Sequence, residues 1–253
     1  MRRKNCWNGW GVTKPGGAVE YMAAPDQPGK LSIIVPVLNE AAQIAHILAA
    51  LAPLRTRGAE LIVVDGGSQD ATISLAQEWA DQVLSSPRGR AVQMHCGALA
   101  ASSPVLLFLH ADTLLPPEAD RLILQGLAQS KRQWGRFDVQ VIGQPRMLRA
   151  VSAMINWRSR TFGIATGDQA IFITHKLYQE VGGFPQQALM EDIEVCKRLK
   201  RLHHAPLCLR EKVQTSGRRW EKHGVWRTIF LMWRLRFYYW IGVSADTIAK
   251  AYR

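Results

Sequence analysis

The sequence predicts an α/β fold in which helices cover both faces of a central, mostly parallel sheet and a mixed second half follows. Short apolar runs alternate four times with helical patterns before residue 130, as in successive β-α-β units. The runs are rich in β-branched residues and continuously apolar, which is typical of strands buried on both faces. After residue 130 the alternation loosens.

The predicted strands of the first half are short apolar runs bounded by turn residues: LSIIVPV (31–37), ELIVVD (60–65), DQVLSS (81–86) and VLLFLH (105–110). The predicted helices follow these strands in turn, at 39–54, 70–80, 90–101 and 116–128. We expect Asn39 to cap the first helix and Ser68 or Asp70 to cap the second, because short polar side chains accept hydrogen bonds from the free N–H groups of a first turn. In the second half WGRFDVQVIG, QAIFITH and APLCL are predicted strands, and MEDIEVCKRLKR is a predicted helix.

Polar side chains follow three of these strands at the carboxyl end, where sheets of this kind bind ligands. The candidate ligand-binding residues at these ends are Pro36, Asn39 and Glu40 for the first strand, Asp65 for the second, and His110, Ala111 and Asp112 for the fourth. Neither of the two common glycine-rich nucleotide-binding loops is present, so we expect side chains to hold the ligand. His110 and Asp112 are costly to bury and good at metal coordination, which favours a metal site over a strand that simply reaches the surface.

Two arginines precede the third helix. Arg88 and Arg90 flank Gly89 in PRGRA. Guanidinium groups beside the free N–H groups of a helix N-terminus suit a diphosphate. The alternative is a pair of solvated loop arginines.

The positive charge of the chain lies at its two ends. Residues 1–30 hold five Lys/Arg and two acids, residues 200–253 hold twelve and three, and residues 31–199 hold fifteen of each, for a net charge of +12. A nucleic-acid-binding protein usually carries its basic surface on the folded core, so we expect no specific nucleic acid partner. Basic ends around a neutral core favour peripheral contact with an anionic membrane surface, with a merely solvated tail as the alternative.

The segment VWRTIFLMWRLRFYYWIGV, residues 225–243, is long enough to span a bilayer but contains three arginines. Each would cost about 2.5–3.5 kcal/mol near the membrane centre, so we do not expect a spanning helix. Trp226, Trp233 and Trp240 recur every seven residues with arginines between them, as in a helix that lies at a membrane interface. The alternative is that these tryptophans pack against the protein's own core.

Residues 1–29 are rich in Gly and Pro without periodicity, and we expect a poorly ordered extension. Three basic residues lie near its start, but no apolar segment of a signal peptide follows them. The four scattered cysteines show no C-x-x-C spacing and fit a reducing compartment. These features predict a cytoplasmic protein, peripheral at the inner face of the membrane.

Six segments carry a resemblance to family-2 glycosyltransferases with the GT-A fold, in order and in approximate spacing: IIVPVLNE, IVVDGGSQDAT, PRGRAVQMHCGAL, FLHADT, VGGFP and EDIEVCKRLKR. The sequence looks most like the small subgroup labelled radical-SAM/selenodomain-associated transferases. The resemblance implies a GT-A domain at 30–220, between the extension at 1–29 and a basic, aromatic helical tail at 221–253.

The resemblance also implies roles on the donor side. Asp65 would hydrogen-bond the base of a sugar nucleotide, with capping of the following turn as the structural alternative. The His110-Ala111-Asp112 segment occupies the place of the family's D-x-D motif. Asp112 would coordinate Mg²⁺ or Mn²⁺, and His110 would either ligate the metal or hydrogen-bond a phosphate.

On the acceptor side, Asp192 is similar in position to the catalytic base of inverting members, with Glu191 as its supporting neighbour. Favourable interaction of both acids with a helix dipole is the structural alternative. Asp168 in TGDQAIF would help to bind the acceptor. Arg219-Trp220 resembles the end of the Q-x-x-R-W motif of larger relatives, although this chain has Ser216 in the place of the glutamine, and would contact the donor's diphosphate. The structural alternative is a solvated basic helix start.

The resemblance therefore implies a metal-dependent, inverting transferase that moves a sugar from a nucleoside-diphosphate sugar to an acceptor hydroxyl. A lipid-linked acceptor would suit the basic tail. One alternative is a non-catalytic protein that binds a sugar nucleotide or a membrane surface. Another is a sugar-1-phosphate nucleotidyltransferase, but such enzymes normally carry a glycine-rich basic loop after the first strand, where this chain has NEAAQIAHI.

Overall fold

The computed structural model describes residues 30–252, and the predicted extension at 1–29 lies outside the described residues. The strands are β1 Leu31–Val37, β2 Glu60–Asp65, β3 Gln82–Ser85, β4 Val105–Phe108, β5 Thr113–Leu114, β6 Trp134–Ile142, β7 Ile171–Thr174 and β8 Leu207–Ser216. The helices are α1 Ile44–Thr56, α2 Thr72–Gln77, α3 Arg90–Ala100, α4 Ala119–Gln129, α5 Leu148–Phe162, α6 His175–Glu180, α7 Glu191–Arg201, α8 Arg218–His223, α9 Val225–Trp240 and α10 Ala245–Tyr252.

All eight strands form one sheet in the order β3-β2-β1-β4-β7-β6-β8-β5. Strands β1 to β4 are parallel to their neighbours in the first half, as predicted. Strand β7 then runs antiparallel to both β4 and β6, which makes the second half mixed. The predicted α/β fold is confirmed.

Alternate residues of β1 reach two apolar clusters on opposite faces of the sheet. Ile33 and Val35 pack with α1, α2 and α4, whereas Ile34 packs with α3, α6 and α7. Every residue of β1 is buried. This double burial explains why the strand is apolar at successive positions instead of at every second one.

The sheet curls so that its far edge returns to the centre. Strand β5 pairs antiparallel with β8 at the far edge. Yet only four residues, 109–112, separate β5 from the central strand β4. Because so short a connection cannot cross a flat sheet, the strands between β4 and β5 must bend around it. The curl carries His110 and Asp112 into the concavity that it creates.

The predicted cap of the first helix was wrong, whereas one of the two candidates for the second helix was right. Helix α1 begins at Ile44, and Asn39 lies earlier, with a left-handed φ of 54°. Its side-chain oxygen accepts a hydrogen bond from the backbone N–H of Gln69 at 2.8 Å, so Asn39 ties two loops together instead of capping a helix. Helix α2 begins at Thr72, and Asp70 accepts a hydrogen bond from the backbone N–H of Thr72 at 3.0 Å, so Asp70 holds the first turn as expected. Ser68 does not cap this helix, and its hydroxyl accepts from the backbone N–H of Asn39. Asp70 accepts from the backbone N–H of Ala41 and thereby joins the same two loops.

The segment after β8 folds back onto the protein as three helices. Leu235 of α9 and Ile248 of α10 are buried against Met190 and Ile193. Trp226, Trp233 and Trp240 are 62%, 56% and 76% exposed, so the alternative in which they pack into the core is wrong. No helix within residues 30–252 combines the length and the apolar character needed to cross a bilayer.

Candidate active site

A cavity of about 300 Å³ lies in the concavity of the curled sheet, at the end of β4. Helices α5, α7, α8 and α9 complete its walls. Its charged and ionisable lining consists of four carboxyls (Asp112, Asp168, Glu191, Asp192), three guanidinium groups (Arg90, Arg219, Arg236) and one imidazole (His110). Opposite charges thus face each other across one space of ligand size.

Backbone hydrogen bonds fix the segment between β4 and β5 in this cavity. The N–H of Leu109 donates to the carbonyl of Ile34, which extends the contact with β1 beyond the last residue of β4. The N–H of Thr113 donates back to the carbonyl of His110, and the carbonyl of Asp112 accepts from Ser216 of β8. Asp112 is therefore held between the centre and the edge of the sheet, with its side chain at the cavity.

The imidazole of His110 lines the cavity in its neutral form. Burial, and secondarily the Arg90 guanidinium, hold its pKa well below its ordinary value. Its Nε2 is buried and has no hydrogen-bond partner among the described residues. A Cβ atom built on Gly167 would lie 2.3 Å from Nε2, so the loop that carries Gly167 can approach His110 this closely only because the residue is glycine.

Asp192 lies in the first turn of α7 and faces the cavity. Its two carboxylate oxygens accept hydrogen bonds from the backbone N–H groups of Gly167 at 3.0 Å and Ile193 at 2.7 Å. Burial, reinforced by the negative charge of the adjacent Glu191, raises the pKa of Asp192 to about 7. A carboxyl with such a pKa can both accept and release a proton near neutral pH.

A partly buried arginine lies near two of the acids. Arg158 of α5 has Nε and Nη2 atoms that are buried without a hydrogen-bond partner among the described residues. Burial lowers its pKa, while the charges of Asp168 and Asp192 oppose that shift. Burial likewise raises the pKa of Asp168, and Arg158 counteracts that rise. Arg158 therefore supplies positive charge to the acidic wall from a position outside the cavity lining.

Sequence reasoning missed Arg158 because it missed helix α5. The signals were present: Leu148, Val151 and Ile155 recur at helical spacing, and Gly163 ends the helix with a left-handed φ of 63°. Met154 and Ile155 of this helix also line the cavity. Together with Met232 and Trp233 of α9 they add apolar surface to the cavity lining.

The donor atoms around His110 and Asp112 fit a cation that shares its coordination with a bound diphosphate. Within residues 30–252, no group of three His, Cys, Asp or Glu side chains is arranged to hold a metal by itself. Asp112 supplies one carboxylate, and its Oδ1 accepts a weak hydrogen bond from the Thr113 hydroxyl at 3.3 Å. Mg²⁺ commonly takes one or two carboxylates and completes its shell with substrate phosphates and water. This donor set matches that pattern and does not match a site built from protein ligands alone.

The structure brings most of the predicted site residues together, but not all. Asp112, His110, Asp168, Glu191, Asp192, Arg90, Arg219 and Trp220 line the cavity. Pro36, Asn39, Glu40, Asp65, Arg88 and Ala111 do not.

The residues outside the cavity have structural contacts of their own. Asp65 is 2% exposed, and its carboxylate accepts hydrogen bonds from the N–H groups of Gly67 and Ser68, which is the turn-capping alternative. Burial raises the pKa of Glu40, and the charges of Arg218, Asp112 and Arg90 also act on it. Glu40 thus lies near the candidate site although it is not part of the cavity wall.

The sequence matches the family described as Glycosyl transferase family 2 over residues 32–174. An uncharacterized glycosyltransferase of Mycobacterium tuberculosis is 28% identical over 138 residues, which cover 52% of this chain and 60% of the relative. A dolichyl-phosphate beta-glucosyltransferase of Drosophila melanogaster is 34% identical over 135 residues, 46% of this chain and 41% of the relative. The matched segments thus span roughly half of each protein.

A mannosyltransferase from Pyrobaculum calidifontis, solved in complex with GDP-Man and Mn²⁺, has a similar structure. The TM-score is 0.59 at 19% identity, over 87% of this chain and 64% of that one. At this identity the likeness concerns the fold alone, and it confirms the predicted GT-A architecture.

Proposed function

The chain belongs to glycosyl transferase family 2, and from that premise we propose that it transfers a sugar from a nucleoside-diphosphate sugar to an acceptor hydroxyl with inversion at the anomeric carbon. The observation that supports this most directly is the position of Asp192, a carboxyl with a pKa near 7 in the same cavity as Arg90 and Asp112. A general base and groups suited to a diphosphate would thereby face one bound donor.

On the donor side, Arg90 and Arg219 would bind phosphate oxygens, since guanidinium groups donate paired hydrogen bonds to such anions. Asp112 would hold a divalent cation, Mg²⁺ or Mn²⁺, and His110 would ligate it or hydrogen-bond a phosphate. When bound, such a cation stabilises the negative charge that develops on a leaving diphosphate. The structurally similar mannosyltransferase was solved with Mn²⁺.

The nucleoside would lie beyond the cavity, at the ends of β1 and β2. Asp65, Pro36, Asn39 and Glu40 are the residues that we propose for its binding, with Arg88 at the neighbouring loop. The hydrogen bonds that join residues 39–41 to residues 68–72 support this placement, because they hold the two strand ends together as one surface.

On the acceptor side, Asp192 would take the proton of the attacking hydroxyl as its oxygen forms the new bond to the anomeric carbon and the bond to the diphosphate breaks. Asp192 would thereby become a neutral carboxylic acid, and the leaving diphosphate would carry away the electron pair of the broken bond. Glu191 would assist by raising the proton affinity of Asp192. Asp168 would contact the acceptor from the other side of the Gly167 loop. A positioned base of this kind contributes roughly 10²–10⁴-fold to a rate.

We further propose a lipid-linked acceptor and a peripheral position at the inner face of the membrane. The apolar surface that α5 and α9 add to the cavity lining, the exposed tryptophans of α9 and the basic tail at 221–253 support this. A relative carries dolichyl phosphate in its name. On this proposal residues 30–220 form the catalytic domain, of the radical-SAM/selenodomain-associated kind, and the tail is its membrane-facing part.

Two other functions are less well supported. A sugar-nucleotide-binding protein without catalysis would have no need of a carboxyl with a pKa near 7 in its cavity. A sugar-1-phosphate nucleotidyltransferase would need a basic phosphate loop after β1, where the structure has a loop tied by Asn39 and Asp70.

A thermal-shift screen of nucleoside diphosphates and their sugars, each with and without Mn²⁺, tests the proposal. A ligand that binds only the folded state stabilises it by an amount tied to its affinity. We expect one nucleoside diphosphate and its sugar to raise the melting temperature, with a larger rise when Mn²⁺ is present. No shift with any nucleotide would refute the donor assignment.

A further inference from the structure

Helix α9 exposes a continuous row of large aromatic side chains. Trp226, Phe230, Trp233, Phe237 and Trp240, here called the aromatic stripe, follow one another at alternating spacings of four and three residues. Their exposed fractions are 62%, 63%, 56%, 55% and 76%. Since an α-helix turns about 100° per residue, this spacing places all five on one face.

The stripe is held in a fixed direction by the opposite face of the same helix. Leu235 is fully buried against α7 and α10, and Thr228 is also buried. The hydroxyl of Tyr239 donates to a carboxylate oxygen of Glu194 at 3.0 Å. The exposed aromatic groups therefore belong to a helix that is packed onto the domain.

A cavity of about 560 Å³, here called the basic groove, lies along one edge of the stripe. Its lining includes Arg219, His223, Arg227 and Arg234, together with Phe230 of the stripe, and no carboxylate among the described residues lines it. Arg227 and Arg234 each follow a tryptophan of the stripe by one residue. By the same helical geometry they lie on the side of the helix next to the aromatic row, where their guanidinium groups flank it. The groove thus combines several positively charged side chains with an adjoining apolar surface.

From this combination we propose that the basic groove binds the phosphate group of an anionic membrane lipid while the aromatic stripe lies in the headgroup region. The inference rests on the proposed membrane association of the tail, and it does not depend on the transfer reaction. Guanidinium groups match phosphate oxygens, and exposed tryptophans favour the boundary between headgroups and acyl chains.

Other occupants fit the two surfaces less well. Free phosphate would satisfy the groove but leave the stripe in water. A second copy of the chain would bring the same charge of +12 to a basic surface. An anionic lipid supplies both the negative group and the apolar layer that the stripe needs.

The proposal also orients the candidate active site. Met232, Trp233 and Arg236 of α9 line the catalytic cavity, whereas Arg227, Phe230 and Arg234 line the groove. The two spaces therefore adjoin each other, with Arg219 and Thr228 in the lining of both. A protein docked through the stripe would have the mouth of its catalytic cavity next to the lipid surface.

Sedimentation of the full chain with vesicles tests the inference, using phosphatidylcholine with about one third phosphatidylglycerol. The double variant Arg227→Gln with Arg234→Gln should bind about 30-fold more weakly than wild type, since each basic residue near an anionic surface contributes about fivefold. The matched control is Arg201→Gln with Arg210→Gln, which removes the same charge from exposed positions on α7 and β8. We expect the control to bind within about twofold of wild type because these positions lie outside the groove.

Equal losses in both double variants would overturn the groove assignment, because charge alone would then explain the binding. Failure of wild type to bind these vesicles would overturn the membrane proposal as well.

Calorimetric titration with inorganic phosphate should show no saturable binding. If wild type binds inorganic phosphate saturably but does not bind vesicles, and the groove variant loses the phosphate binding, the ligand of the groove is a soluble anion instead. The nucleotide-induced thermal shift should be unchanged in the groove variant, so failure of this inference is distinguishable from failure of the proposed transfer.

Discussion

Replacement of Asp192 by asparagine should separate transfer from donor binding. The variant keeps the size of the side chain but cannot accept a proton as a base. We expect transfer to fall by roughly 10²–10⁴-fold while donor affinity stays within a few-fold. For wild type, kcat/KM should rise with pH through about 7, because only the ionised carboxylate can take the acceptor's proton.

The same substitution should change how stability depends on pH. The pKa of Asp192 is raised from 3.8 to about 7 on folding. The folded state therefore holds its proton more tightly than the unfolded state, and ionisation of this group destabilises the protein as the pH rises from about 4 to 7. With about 1.36 kcal/mol per pKa unit, wild type should lose at most about 2.5 kcal/mol of unfolding free energy between pH 5 and pH 8 through this group.

Asparagine does not titrate, so the variant lacks this loss. It does, however, present an NH₂ group to one of the two backbone N–H donors that Asp192 now satisfies. That mismatch costs about 1–3 kcal/mol at any pH. The variant should be less stable than wild type at pH 5 and should approach or exceed it at pH 8.

Urea unfolding of both proteins at pH 5, 6, 7 and 8 measures the effect. The expected result is a difference in unfolding free energy, variant minus wild type, that increases by up to about 2.5 kcal/mol across this range. Parallel stability curves would show that the pKa of Asp192 is ordinary in the folded protein. Transfer by the variant at the wild-type rate would refute the assignment of Asp192 as the base.

Three further predictions concern the rest of the site and the tail. Asp112→Ala should abolish the extra thermal shift that Mn²⁺ adds to nucleotide binding, and an unchanged Mn²⁺ effect would count against the cation site. Gly167→Ala should lower the unfolding free energy by about 1–3 kcal/mol, because the new Cβ would lie 2.3 Å from His110 Nε2. Adding His110→Ala should restore most of the lost stability. Equal stability of wild type and the single Gly167→Ala variant would contradict this prediction. Trp226→Ser with Trp240→Ser should weaken anionic-vesicle binding about tenfold or more without changing the melting temperature, since both side chains are mostly exposed; a lowered melting temperature would instead indicate a packing role.

The parallel half of the fold was readable from the sequence because its determinants are local. Continuous apolar runs such as IIVPV are compatible with few structures other than a strand buried on both faces. Polar residues at the ends of β1, β2 and β4 then indicated which edge of the sheet would bind a ligand. The resemblance to family-2 glycosyltransferases added Asp192, which no local pattern distinguishes from an ordinary first-turn acid.

Asn39 shows where local reasoning fails. Its sequence context is that of a helix cap, yet its side chain hydrogen-bonds Gln69, thirty residues away. Asp65 is similar, since it holds the turn of Gly67 and Ser68 and does not line the catalytic cavity. Short polar side chains serve caps, turns and ligands equally well, and only the neighbours supplied by folding decide among these uses.

The sequence by itself determined the α/β class, the parallel direction of the first strands and the strand ends that carry the chemistry. Only the tertiary structure decided that β5 returns to the centre of the sheet, that Arg158 lies near Asp168 and Asp192, and that the tryptophans of α9 point outward. The physical reason is that periodicity records which residues share a face of a helix or strand. The partners of that face come from segments far apart in the chain, and periodicity does not record which segments these are.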